Sequence, residues 1–388
     1  MRALICGAGI AGLTLAWWLR RDGWDVTLVE QATGPREGGY MMDFFGSGYD
    51  VAERMGLLPE LARAHTRITE LSYVDSAGRR TAGVRYPALA RMLHGRVFSV
   101  MRGDLDRVLR GAFDTPPDIQ YGTSVKAVQH SGAQAVVELT DGTRHQVDLL
   151  IGADGIHSRV RELVFGPEPK FLRPLGFHTA SYVFDDPDLG AVVGDRFVVI
   201  AAPGRQAGLY ATNDGRIATS LIHASPGPAR PADPHSAVRR SYAGLSDWVD
   251  RTLAHCPDGP GLYYDHVAQI EMNGWCRGPV ALVGDACQAV SLMAGQGASV
   301  AMGGAWVLAH RLAAHRSDLA TALSQYEQRM LPFIRRKQSS GRRTAQWMVP
   351  DSRWRIKLRD RVMSVANLPG GPALLRPTMA VARASIVT

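Results

Sequence analysis

The first thirty residues switch between two hydrophobic periods, and that switch is the clearest structural signal in the chain. Residues 3–6 are a short continuous apolar run, the pattern of a buried strand. Residues 10–21 follow helical spacing, with an apolar face at Leu13, Ala16, Trp17 and Leu19. Residues 25–29 are strand-like again, so the chain opens as a βαβ unit. Residues 34–48 read as a glycine-rich loop and 49–58 as a helix. Two alternating runs between 71 and 85 flank Ala77-Gly78, a hairpin signal, and 103–113 is helical. Runs at 125–130, 135–140 and 145–151 predict a strand meander, with Asp141-Gly142 at its second turn.

The texture changes between 171 and 264. Strand-like runs at 196–201, 208–212 and 216–223 precede a proline-rich break at 226–234 and then helix-like stretches. Residues 279–283 return to a buried strand that ends in Gly284-Asp285. An apolar helix follows at 299–312, then a long one at 317–348 in which Pro332 predicts a kink or boundary. No internal repeat is visible. The pattern predicts an α/β protein: a Rossmann-like nucleotide-binding fold, interrupted by a β-rich insert and followed by C-terminal helices.

Gly7-Ala8-Gly9-Ile10-Ala11-Gly12 sits between the first strand and the first helix and fits GxGxxG in the context that motif requires. Gly7 allows the tight turn, Gly9 lets a pyrophosphate approach the backbone, and Gly12 lets helix and strand pack closely. Glu30 closes the second strand 18 residues after Gly12, where a carboxylate accepts from ribose hydroxyls. This arithmetic predicts a dinucleotide without separating FAD from NAD.

Composition narrows the class. The hydrophobic fraction of 46% excludes wholesale disorder, and 388 residues suggest two domains. The net charge of +8 is a property of the tail: residues 329–388 hold 13 Lys and Arg against Asp351 and Asp360, which leaves the rest mildly acidic. That placement argues against a nucleic-acid binder, whose excess would cover a folded face. Cys6, Cys256, Cys276 and Cys287 form no CxxC pair, so neither a disulfide framework nor a zinc ribbon is expected, and no metal site is predicted. The stretch 286–309 contains too many glycines to read as a membrane span. A cytoplasmic setting is the expectation.

Two further motifs complete the pattern. Residues 148–161 (DLLIGADGIHSRVR) form a strand, a tight turn at Asp154-Gly155 and a helix start. Residues 281–286 (ALVGDA) repeat the strand-to-acid design and lead into Ala294-Gly295-Gln296-Gly297-Ala298-Ser299. With the N-terminal fingerprint these resemble the three signature motifs of class A flavoprotein monooxygenases, the para-hydroxybenzoate hydroxylase family. The texture around Gly38-Gly39-Tyr40-Met41-Met42-Asp43-Phe44 is most similar to its small bacterial members, which include tetracycline-modifying oxygenases and antibiotic-pathway hydroxylases.

The resemblance implies FAD as cofactor, NAD(P)H as reductant and oxygen transfer to an aromatic or polyketide-like small molecule, in antibiotic or secondary metabolism. It places the pyrophosphate at Gly7, Ala8, Gly9, Ile10, Ala11 and Gly12, and the adenosine ribose at Glu30, with Gln31, Arg36, Met42 and Asp43 nearby. It assigns Arg102 and Val125 to FAD, Asp154 to FAD and NADPH together, and Gly284 and Asp285 to the ribitol. The helix start at Gly295, Gly297, Ala298 and Ser299 would face the flavin. The implied FAD-binding domain is discontinuous (1–70, 99–168 and 276–320), with a substrate domain at 71–98 and 169–275 and a helical, basic segment at 321–388.

The chain departs from the family pattern at four places. Gln288 stands where a His is usual, Leu292 where a Pro is usual, Gly303-Gly304 where an acidic pair is usual, and Gln31 where Arg is common. These changes give weight to an alternative outcome, oxidation or cyclisation without oxygen insertion. An NAD(P)-dependent dehydrogenase is a further alternative, although it leaves the second and third motifs without a role. Candidate pocket residues are Phe44, His178, Tyr182, Tyr210, His223 and Met293, with His178 or Tyr210 able to assist deprotonation of a phenol. In the tail, Trp354, Leu358, Val362 and Val365 recur at near-helical spacing among basic residues. The favoured expectation there is a helix packed on the body rather than a stable membrane contact.

Overall fold

β1 (Arg2–Cys6) runs directly into the glycine turn, α1 (Ile10–Arg21) follows, and β2 (Asp25–Glu30) returns beside β1. A computed structural model shows this arrangement and describes residues 1–35, 39–131, 133–225, 227, 229–259, 261–365 and 384–387. α1 starts on Gly9 with no side-chain cap, so its first-turn N–H groups stay open. Ile5 lies between Ile151 and Leu28 in a six-stranded sheet. From one edge its strands are Cys276–Arg277, Val280–Leu282, Leu149–Gly152, β1, β2 and Ile119–Tyr121. All pairs are parallel except the one made by the edge strand Cys276–Arg277.

Two expected elements change. The run 145–151 is not one strand: Arg144–Val147 closes a small antiparallel sheet with Gln134–Leu139 and Val125–Ser131, whereas Leu149–Gly152 joins the parallel sheet. The break falls at Asp148, whose carboxylate accepts from the backbone N–H of Arg2 (2.8 Å) and from Gln134 Nε2 (2.6 Å). The glycine-rich stretch 34–48 also holds a strand, β3 (Met41–Phe45), paired with Val97–Met101. Gly39 (φ +109°) and Gly46 (φ +61°) bound it, and Gly46 turns the chain into α2 (Ser47–Arg54).

A second sheet has eight strands. Its path runs Tyr263–Ile270, Leu172–Ser181, Ile217–Ala224, Arg205–Ala211, Arg196–Ala202, Glu70–Val74 and Arg80–Arg85, with Val183–Phe184 paired to the third of these. Helices Pro187–Val193, Pro234–Tyr242 and Asp247–Ala254 cover one face through Leu189, Val193, Val238, Tyr242, Val249 and Leu253. The opposite face turns toward the parallel sheet's side of the molecule and is left for a cavity.

Helix Gly297–Ala314 packs on α1 and α2 and is buried along most of its length. Gly303 and Gly304, which replace the family's acidic pair, have a packing reason. A Cβ at Gly303 would press on Ser47 Cβ (2.9 Å) and Ile386 Cγ2 (3.0 Å), and one at Gly304 would overlap the Gln288 carboxamide. Gln288 therefore occupies the space that Gly304 leaves. The next helix, Leu319–Met348, runs through Pro332 without ending there. The lost backbone bond is offset by burial of Met330, Phe333 and Ile334 around it. Helix Arg353–Val365 then lies against strand Arg80–Arg85.

Candidate active site

The three glycines of the fingerprint divide their work unequally. Gly7 (φ +106°) sits so close to the Ala153 carbonyl that a Cβ would overlap it, and a Cβ at Gly12 would overlap the Gly7 carbonyl. These two bring the first and second motifs into backbone contact. Gly9 has only Arg102 Nη2 within reach of a Cβ, at 3.8 Å, so it faces open space beneath that guanidinium. Ala8, Ile10 and Ala11 are buried in the turn and first helical residues, and Gln31 is exposed. Glu30 accepts from the N–H of Ala8 (2.9 Å) and of Ala32 (2.9 Å), which fixes its carboxylate at the rim of the loop. Val125 is buried in the core; its neighbour Ser124 lies 3.9 Å from the Cys6 thiol. Arg36 lies outside the described residues.

The other two motifs converge on the same edge. Asp154 accepts from Val160 N–H (3.0 Å) with Oδ2, while its buried Oδ1 has no partner, and burial lifts the carboxyl above its usual range. Gly284 (φ +64°) packs so tightly on α1 that a Cβ would overlap that of Ala11. Asp285 is exposed toward the cavity, and the nearest atom to a Cβ on Gly297 is its Oδ1, at 3.9 Å. Helix Gly297–Ala314 opens there after Gly295 (φ +62°) with no side-chain cap, so the N–H groups of Gly297, Ala298 and Ser299 lack intrahelical acceptors. Only the backbone of Ser299 belongs to this edge, because its side chain is buried against Gly48. The N-cap Gln296 accepts from the buried Lys337 ammonium, which burial pushes down to about 7.

An orphaned carboxylate oxygen, an open glycine under an arginine and an uncapped helix start fit FAD. Glu30 would take the ribose, the Gly9 turn the pyrophosphate, Asp285 the ribitol and the Gly297–Ser299 N–H groups the pyrimidine edge of the ring.

From Asp285 and Gly297 a cavity of about 430 Å³ extends to the open face of the eight-stranded sheet. Strand register sets its wall in rows. Asp265, Thr179, Ile222 and Gln206 are successive ladder partners across four strands, and all four line the cavity. Val199 and Tyr73 pair in a second row, and Phe197, Leu71 and Val84 form a third. Gly208 lacks a side chain where a Cβ would overlap the Phe197 ring. Met41, Met42, Leu292 and Met293 close the flavin end, and Met348 and Met363 come from the last two long helices. Tyr40 and Tyr263 stand at the rim with ring centroids 5.8 Å apart.

The structure corrects the expected pocket residues. His178 and His223 are ladder partners on the sheet's other face, where His178 Nδ1 lies 2.8 Å from Tyr264 Oη and His223 Nδ1 lies 3.1 Å from Tyr242 Oη. Burial lowers the pKa of both, that of His223 to about 4. Tyr182 is also behind the sheet and donates to Thr252 O (2.9 Å). Phe44 is fully buried beside Gly48 rather than at the cavity. Tyr210 lines the cavity, but its hydroxyl accepts from Met41 N–H (2.7 Å) and burial holds it far above the ordinary phenol range. Neither His178 nor Tyr210 is placed to act as a base. Met42 and Asp43 reach the cavity on β3; Asp43 accepts from Tyr86 and from Ser99 Oγ (2.8 Å), which ties it to the scaffold. Met293 is where it was expected.

Sequence reasoning missed Gln206, Asp265 and His157. His157 bridges the two halves: Nε2 meets Asp265 Oδ1 at 3.1 Å and Nδ1 meets Glu168 Oε1 at 3.0 Å. The Asp265 hydrogen bond, supported by Glu168, raises the imidazole to about 9, and His157 in turn holds the buried Asp265 below its usual range despite burial.

Comparison with known proteins agrees with this geometry. A family model described as "FAD binding domain" matches residues 1–338. The chain is 33% identical over 381 residues to an uncharacterized protein, Rv1260, of Mycobacterium tuberculosis, covering 95% of this chain and 94% of that one. It is 27% identical over 415 residues to the FAD-dependent monooxygenase asL4 of Sarocladium schorii, covering 98% and 94%. Among solved structures, tetracycline destructase Tet(55) superposes with a TM-score of 0.83 at 25% identity, over 99% and 97% of the two chains. Klebsiella pneumoniae HpxO, solved with FAD and uric acid, gives 0.80 at 22% identity over 99% and 97%. The chain belongs to the FAD-binding-domain family of flavin-dependent monooxygenases.

Proposed function

We propose that this protein uses NAD(P)H and O2 to insert one oxygen atom into an aromatic or polyketide-like small molecule. The balance is substrate-H + O2 + NAD(P)H + H⁺ → substrate-OH + H2O + NAD(P)⁺. The observation that supports it most is the continuity of one cavity, from the open helix start at Gly297 to an apolar sheet face. FAD, when bound, supplies the redox chemistry that couples NAD(P)H to O2. The chain's own groups do the rest. The N–H groups at the helix start and its dipole would stabilise negative charge on a flavin held there. Asp285 and Arg102 would hold the cofactor's sugar-phosphate arm, and the methionine and aromatic walls would keep water from the reacting face. Names such as tetracycline destructase and an HpxO complex with uric acid support a ring-bearing substrate. We place the reaction in secondary metabolism and in a cytoplasmic setting; the four cysteines are free thiols.

The purified protein should be yellow, and Asp285→Ala should lose at least tenfold in FAD affinity, read by equilibrium dialysis. With an accepted substrate, NAD(P)H consumption should yield a product 16 mass units heavier, by mass spectrometry. A product of unchanged mass or two units lighter would establish the alternative of oxidation or cyclisation. Leu292, which lines the cavity in place of the family's proline, is the residue that favours this second reading.

A further inference from the structure

The helix that opens at Gly297 has a buried cation at its N-cap. Lys337, on helix Leu319–Met348, is 5% exposed, and its ammonium donates to Gln296 Oε1 (2.5 Å). Gln296 is the N-cap residue, one position before the Gly297 that lines the cavity. The ammonium also lies 5.2 Å from the centroid of the Phe333 ring. The next residue locks this stretch of helix in place. Gln338 Nε2 donates to Ile270 O (2.7 Å) and Ala289 O (3.1 Å), and the Gln338 carbonyl accepts from Gln269 Nε2 (2.9 Å).

Packing alone does not call for an ammonium here. Burial has pushed Lys337 down to about 7, so its charge costs stability. That cost is complete below pH 7 and vanishes only above the ordinary lysine value of 10.5. A methionine would fill a similar volume without it. The charge has a use at the helix start. The first turn holds no acidic residue and no side-chain cap, so the ammonium and the positive end of the helix add rather than cancel. A charge held out of water is also screened less than an exposed one. Gly295, Gly297 and Ala298 line the cavity there, so the ammonium acts through its field and through Gln296, without touching the cofactor.

We propose that Lys337 is a positioning residue of the flavin site, whose ammonium at the N-cap of helix Gly297–Ala314 makes bound FAD easier to reduce. Reduction by two electrons with one proton, FAD + 2 e⁻ + H⁺ → FADH⁻, leaves on the ring a negative charge that the oxidised ring lacks. A fixed cation nearby stabilises the product and not the reactant. This rests on FAD lying at that helix start, as proposed above.

The test is the reduction potential of bound FAD at pH 6.5, read anaerobically against reference dyes, in wild type, Lys337→Gln and Lys337→Met. The Gln variant keeps a hydrogen-bond donor toward Gln296 without the charge, and the Met variant removes both. Each should disfavour reduction at least tenfold, a fall of about 30 mV for the two-electron couple. Affinity for oxidised FAD, by equilibrium dialysis, should stay within about threefold of wild type. Unchanged potentials, a fall in Lys337→Met but not in a folded Lys337→Gln, or failure of both variants to fold would overturn the inference. Where one variant alone folds, its potential decides. Absence of FAD from the wild-type protein would sink the flavin reading along with this one, whereas bound FAD with unmoved potentials would sink this one alone.

Discussion

At the residue scale, Gly304 and Gln288 behave as one unit. An exposed helical Gly→Ala change ordinarily stabilises by about 1 kcal/mol. Here the added methyl would enter the Gln288 carboxamide, so Gly304→Ala should instead destabilise by about 1–3 kcal/mol in urea unfolding. Gln288→Ala in the same chain should return most of that loss, a coupling that a double-mutant cycle measures. His157 gives a second residue-level prediction, with a definite sign. Its folded pKa of about 9 lies above the unfolded value of 6.5, so its contribution is complete below 6.5 and disappears as pH rises through 9. The Tm difference between wild type and His157→Gln should therefore be largest near pH 6 and close to zero by pH 10. Because the ring is half exposed, a shift of a few degrees at most is expected.

At the scale of elements, Arg359 is the buried anchor of helix Arg353–Val365. Arg359 is 1% exposed, stacks on Tyr73, donates to Met348 O (3.1 Å) and pairs with Asp360, which itself accepts from Thr81 (2.9 Å). Arg359→Met should detach the helix and with it the Met363 wall. The expected reading is faster amide exchange in 353–365 and weaker ligand binding, with FAD retained. The remaining face of that helix carries the exposed Trp354 and Leu358, so two of the apolar positions expected to pack on the body turn outward and the basic Arg359 turns inward instead. Much of this architecture was legible from local pattern. β1, α1 and β2 declare themselves because strand, glycine turn and helix are contiguous in sequence. β3 was hidden because five residues between positive-φ glycines carry too short a pattern to be told from a loop. The split at Asp148 was hidden for a different reason: one apolar alternation serves two sheets, and only the pairing of Asp148 with Arg2 divides it. The pocket face was the least legible part. Alternation shows that His178 and Thr179 point opposite ways, but the helices behind the sheet decide which of them meets the cavity.

At the scale of the whole molecule, the cofactor cleft is assembled from segments far apart in sequence, with Gly9, Arg102, Asp154, Asp285 and Gly297 on one edge. Binding there should stabilise the chain as a unit rather than one part. Free FAD a hundredfold above its Kd should add about 2.7 kcal/mol to the unfolding free energy, seen as a single raised transition in calorimetry. The strand order has a further consequence, in time rather than in space. β1 is synthesised long before one of its neighbours, Leu149–Gly152, and that strand's outer partner, Val280–Leu282, comes later still. A growing chain thus carries its fingerprint turn for some 150 residues before the Ala153 carbonyl arrives to shape it, and for far longer before Asp285 does. Cofactor loading then waits for the segment carrying Asp285 and Gly297 to leave the ribosome, and until that moment an apolar strand edge depends on chaperones for its cover.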